Sequence, residues 1–117
     1  MMRWTWLDVA ETLKFDSHFD RPGWEYIKVN GRVLLNLLPA LEKQVSDYDI
    51  GPFLSHRTLC LSFRSSKEVI GLYGINDSEI QVTRFYLHDF SPYHKIIIKR
   101  DFVLEEIQKY INQINTP

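Results

Sequence analysis

Between Arg57 and Lys99 the chain alternates apolar and polar residues in short runs separated by turn-forming residues, the pattern of half-buried strands. "RTLCLSF" places Leu59, Leu61 and Phe63 on one face, and "EVIGLYG", "EIQVTRFYLHDF" and "HKIIIK" follow. The links "RSSK", "INDS" and "FSPY" are short. Such links favour antiparallel pairing, because a parallel crossover takes about a dozen residues. Gly71 and Gly74 interrupt the second run and are read as permitting a bulge or a turn.

Two stretches have a helical period instead. In "GRVLLNLLPALEKQV" the residues Val33, Leu34, Leu37, Leu38, Ala40, Leu41 and Val45 share a stripe about 160° wide. Arg32, Asn36, Pro39, Glu42 and Lys43 lie opposite. A hairpin closed by Asn30-Gly31 would need alternation after the turn, and three consecutive apolar residues, Val33 to Leu35, break it. Asn30 is therefore read as a helix N-cap and Pro39 as a bend. The terminal "DFVLEEIQKYINQIN" gathers Val103, Leu104, Ile107, Tyr110, Ile111 and Ile114 on one face, with Asp101 as its expected cap.

Upstream, "WEYIKV" reads as a strand with Trp24 and Tyr26 on one face and Ile27 and Val29 on the other. "RWTWLDV" and "TLKF" are possible strands, and "DSHFDRPG" is a loop ending in a Pro-Gly turn. The expected fold is a single α+β domain over residues 1–117. It has an antiparallel sheet of about five to six strands and two amphipathic helices, about 31–45 and 102–114, packed on it.

Composition narrows the function. Hydrophobic residues make up 44% and charged residues 25%, values of a folded globular chain. Fourteen basic residues against fifteen acidic ones give a net charge of −1, without the basic excess of a nucleic-acid binder. Asp8 and Glu11 interrupt the N-terminal segment, so no signal peptide is expected, and the apolar runs are too short to span a bilayer. A single cysteine, Cys60, excludes an internal disulfide and fits a cytoplasmic location; its place inside an alternating strand reads as packing.

Two groups of residues are candidates for function. "SDYDIGPF" follows the negative end of the first helix, where Asp47 and Asp49 are mildly unfavourable, and Tyr48 between them is an amphipathic ring suited to recognition. A turn at "DFSPY" would bring His88 and Asp89 beside Tyr93 and His94. That set suits partner contact, or else acid–base or metal chemistry on His88, Asp89 and His94. "DSHFD" holds Asp16, Ser17, His18 and Asp20, but catalytic triads are assembled from separated segments. Trp4, Trp6 and Trp24 could form one aromatic layer, in the core or at an interface. Lys95, Lys99 and Arg100 read as charges that blunt an edge strand.

The stretch "WEYIKVNGRVLLNLLPALEKQ", with the later "VIGLYGI", "VTRFYLHDF" and "FVLEEIQKYI", resembles small bacterial immunity proteins encoded beside secreted or contact-delivered toxins. The resemblance covers about half the chain. One such group is rich in Cys and Gly where this chain reads "LYGINDSEI". The resemblance implies a protein-binding role without catalytic residues, the neutralisation of a cognate toxin. The contact residues expected from the two groups above are Asp47, Tyr48, Asp49, His88, Asp89, Tyr93 and His94, and no metal or cofactor is expected. The alternatives are a small metal-dependent or acid/base hydrolase using His88, Asp89 and His94, and a homo-oligomeric structural protein.

Overall fold

The computed structural model describes residues 4–88 and 91–114, and it is an α+β fold with three helices and a five-stranded antiparallel sheet. Helices α1 (Trp6–Ser17) and α2 (Glu25–Val45) come first. Strands β1 (Ile50–Ser55), β2 (Thr58–Phe63), β3 (Glu68–Gly74), β4 (Glu79–Tyr86) and β5 (Pro92–Lys99) follow as a meander in spatial order β1-β2-β3-β4-β5. A 3₁₀ turn, Arg100–Phe102, leads into α3 (Val103–Ile114).

Several sequence expectations are corrected by this arrangement. "RWTWLDV" and "TLKF" are not strands: residues 6–17 are α1, and Trp4 precedes it. The helix is started by a capping box, in which the Asp8 amide donates to Thr5 Oγ1 at 3.0 Å and the Thr5 amide to Asp8 Oδ2 at 2.9 Å. Trp4 and Trp6 alternate like strand residues, but Trp6, Val9 and Leu13 fall at helical spacing, and Val9 and Leu13 are fully buried.

"WEYIKV" is likewise helical, forming the first turns of α2. Among its buried residues, Ile27, Asn30, Gly31, Leu34, Leu38, Leu41 and Val45 run as an i, i+3/i+4 series, with buried Val33 beside it, and this helical period overrides the local alternation. Pro39 lies within α2 on its exposed side, so one helix carries the whole apolar face. The segment after α2 holds a strand that the alternation does not mark: Ile50–Ser55 pairs with β2 as the edge strand β1, the position in a sheet where Pro52 is tolerated.

Asn30 is no N-cap. It sits inside α2 with no exposed surface, donating through Nδ2 to the Arg57 carbonyl at 2.8 Å and accepting from the Gly74 amide through Oδ1 at 2.7 Å. One side chain thus ties α2 to the β1–β2 turn and to the end of β3. That turn, His56-Arg57, has φ of 50° and 66°, a left-handed pair that normally favours Asn-Gly. Its carbonyl bond to Asn30 holds it in place. Gly31 allows α2 to cross α1 closely: a Cβ there would lie 2.8 Å from the Ser17 nitrogen and 2.9 Å from the Leu13 oxygen. Gly74 serves a similar close approach, to Asn30 and Val33, and the sheet's irregularity lies elsewhere, between Arg84 and Phe85. Asp101 is within the 3₁₀ turn and does not cap α3.

The three helices share one face of the sheet. Val9 and Leu13 of α1, the apolar side of α2, and Val103, Ile107, Tyr110 and Ile111 of α3 pack with Leu59, Leu61, Phe63, Ile70, Leu72, Ile80 and Val82. The opposite face has only a small cluster of Cys60, Val69, Phe85 and Phe53. No helix among the described residues is long and apolar enough to cross a membrane.

Candidate functional site

The meander places both sequence-predicted groups at one end of the sheet. In an antiparallel meander the starts of β1, β3 and β5 lie beside the ends of β2 and β4. Asp47, Tyr48 and Asp49 join α2 to the start of β1, His88 follows the end of β4, and Tyr93 and His94 open β5. Helix α3 runs back from the far end of β5, so its last turns reach the same rim. Tyr48 Oη accepts from Gln108 Nε2 of α3 at 3.5 Å, and the His94 ring meets Tyr110 edge-on at 6.3 Å.

Arg84 organises the rim. It occupies a core-facing position of β4, the register of Ile80 and Val82, where an aliphatic residue would ordinarily stand. Its guanidinium lies 4.6 Å from the Tyr110 ring centroid and 5.3 Å from that of Tyr93. It donates to Glu68 Oε1 at 3.3 Å and to Gln113 Oε1 at 3.1 Å. Both charged side chains of the pair are mostly buried, at 16% and 18% exposure, which strengthens their attraction and makes loss of either costly. Tyr93 Oη donates to the same Glu68 oxygen at 2.6 Å. Burial, and then this hydrogen bond, push the Tyr93 hydroxyl up to about 12, and burial with the neighbouring Glu106 carboxylate does the same for Tyr110. Both phenols stay protonated well above neutral pH, and Tyr93 serves as a donor to Glu68.

On this base the exposed aromatics are stacked. The Tyr86 and Tyr93 rings are 4.9 Å apart at 26°, and Tyr86 and His88 are 5.8 Å apart at 28°. Leu87 is fixed beside them by its amide's bond to the Lys67 carbonyl at 2.9 Å. The two histidines engage different rings, His88 on Tyr86 and His94 on Tyr110, and Asp89 lies outside the described residues. Among the described residues no three His, Cys, Asp or Glu side chains are grouped to hold a metal ion.

The Asp47–Asp49 corner is more balanced in charge than its sequence suggests. Asp49 Oδ1 accepts from Arg64 Nη1 at 2.9 Å in a solvent-exposed ion pair, a contact worth at most about 1 kcal/mol. Asp47 and Tyr48 are exposed.

The other sequence candidates disperse. Asp16 is buried and 3.7 Å from Arg57 Nε. Burial outweighs that cation and raises its carboxyl above the ordinary aspartate value. Ser17 Oγ donates to the Lys14 carbonyl at 2.7 Å, and His18 Nδ1 lies 2.9 Å from the same oxygen, so both close the end of α1. Burial pushes the Cys60 thiol up to about 12 and keeps it protonated. The tryptophans do not form one layer: Trp4 and Trp6 pack against the core, whereas Trp24 is exposed between Phe19 at 6.3 Å and Tyr26 at 6.0 Å.

Arg84, Glu68, Tyr86 and Tyr110 escaped the sequence reading. The available signal was Arg84 itself, a cation in the apolar register of an alternating run. Comparisons with protein-family models, with curated proteins and with solved structures find no match to this chain in any of the three.

Proposed function

We propose that this protein is a binding module that neutralises a partner protein, a toxin, by covering its active surface with the rim. One observation carries the reading: the meander gathers Tyr48, Tyr86, His88, Tyr93 and His94 on one end of the sheet, where a half-buried Arg84–Glu68 pair holds the Tyr93 ring on which Tyr86 stacks. Exposed aromatics on a rigid base suit protein recognition, since they supply contact area at little entropic cost. The resemblance of residues 24–44 to immunity proteins of toxin systems supports the same reading. Asp47 would bias orientation toward a basic surface, and the rings would carry most of the affinity.

The direct test is growth of cells expressing the product of the adjacent gene, with and without this chain, followed by calorimetric titration of the purified pair. Protection from growth arrest and saturable binding are expected. Tyr86→Ala combined with His88→Ala should weaken binding at least about tenfold while leaving the unfolding midpoint nearly unchanged. An adjacent product that neither arrests growth nor binds overturns the proposal.

A further inference from the structure

The two edges of the sheet are finished differently. At β1, Ile50, Gly51 and Pro52 are buried, and Pro52 has no amide to offer a neighbour. At β5 the strand is eight residues long, pairs among the described residues only with β4, and has Tyr93, His94, Lys95, Ile97 and Lys99 exposed. The register fixes which of its backbone groups are open. The Arg100 amide donates to the Ser78 carbonyl at 2.8 Å, one step beyond the Glu79↔Lys99 pair. Bonded pairs in an antiparallel ladder alternate, so Ile98, Ile96 and His94 bond to β4, and Lys95, Ile97 and Lys99 direct their amides and carbonyls outward.

The side chains of those outward residues all stand on the helix-free face, giving Lys95, Ile97 and Lys99 in a row with Ile97 57% exposed. Across the ladder Lys95 meets Thr83, and Lys99 meets Glu79, whose carboxylate accepts from Asn76 Nδ2 at 2.9 Å. No ion pair reaches either lysine among the described residues. A second copy paired antiparallel about Ile97 would set Lys95 opposite the other Lys99 twice, and like charges directly opposed are destabilising.

We propose that the β5 edge accepts, as a sixth strand, an extended segment of another protein with an acidic, an apolar and an acidic residue at alternate positions. The backbone of Lys95, Ile97 and Lys99 supplies the ladder. The two ammonium groups select carboxylates and reject a second copy of the chain, and Ile97 takes the apolar residue between them. The ladder residues Lys95, Ile97 and Lys99 lie beyond Tyr93 and His94, the part of β5 that belongs to the aromatic rim, and the proposal does not depend on the neutralising role.

The probe is a blocked peptide, Thr-Glu-Val-Ile-Val-Glu-Thr, titrated into the isotopically labelled protein. Saturable amide shifts and slowed hydrogen exchange centred on Lys95, Ile97 and Lys99 are expected. The peptide with lysines in place of its glutamates should bind about tenfold more weakly, and Lys95→Glu with Lys99→Glu should invert that preference. Any of three results overturns the proposal: no saturable shift, undiminished binding by a peptide N-methylated along its ladder edge, or a peptide-free dimer with the β5 amides already protected.

Discussion

Asn30 shows how one polar residue can specify a fold. An amide inside a helix is costly to bury unless both its ends are satisfied, and here they are satisfied by the β1–β2 turn and by the end of β3. Asn30→Ala should leave the Gly74 amide and the Arg57 carbonyl without partners and destabilise the protein by about 2–4 kcal/mol in urea unfolding. A loss below about 1 kcal/mol would mean water replaces the amide without cost. From sequence, Asn-Gly suggested a turn or a cap because those are its common local uses. Its actual role depends on long-range partners that no local pattern encodes. The rim tyrosines make a second prediction at this scale. Tyr93 and Tyr110 are raised from 10.0 to about 12 in the folded chain, so the unfolded chain loses these protons first. Their contribution is therefore complete below pH 10 and is lost as pH rises from 10 to 12. The urea midpoint should fall across that window, and fall less in Tyr110→Phe. Equal slopes in both proteins would contradict the assignment.

At the level of elements, legibility followed how far each pattern depends on neighbours. Strands β2 to β5 and the helix at 103–114 were readable because their periods are uninterrupted and their turns are short. Helix α1 and the first turns of α2 were misread because the half-buried Trp4 and Trp6, and the exposed Trp24 and Tyr26, imitate strand alternation over five or six residues. Strand β1 was hidden because Gly51 and Pro52 signal a loop, although both are permitted at a protected edge. The contact between α1 and α2 gives the test here. Gly31→Ala improves helix propensity by about 1 kcal/mol, yet its methyl would meet backbone atoms of α1. The net change should be a destabilisation of about 1–3 kcal/mol, read from thermal or urea unfolding. A stabilised variant would show that the two helices separate freely.

For the whole molecule, topology turns two distant sequence segments into one surface. Tyr48 and His88 are forty positions apart, and they lie at the same end of the sheet because every second end of a meander falls on the same side, with α3 between them contacting Tyr48 through Gln108 and His94 through Tyr110. That convergence was partly foreseeable once the strands were counted. The Arg84–Glu68 base beneath it was not, since it depends on α3 returning to cover Arg84 with Tyr110. The opposite end carries its own exposed rings, Trp24 and Tyr26, with the half-buried Phe19 beside them, and so serves as an internal comparison. The most direct measurement is hydrogen exchange of this protein with and without the product of the adjacent gene. The account predicts slowed exchange concentrated in residues 47–49, 63–68 and 86–94, with the amides around Trp24 and Tyr26 unchanged. Protection confined to the Trp24 end, with the rim exchanging as in the free protein, would contradict it.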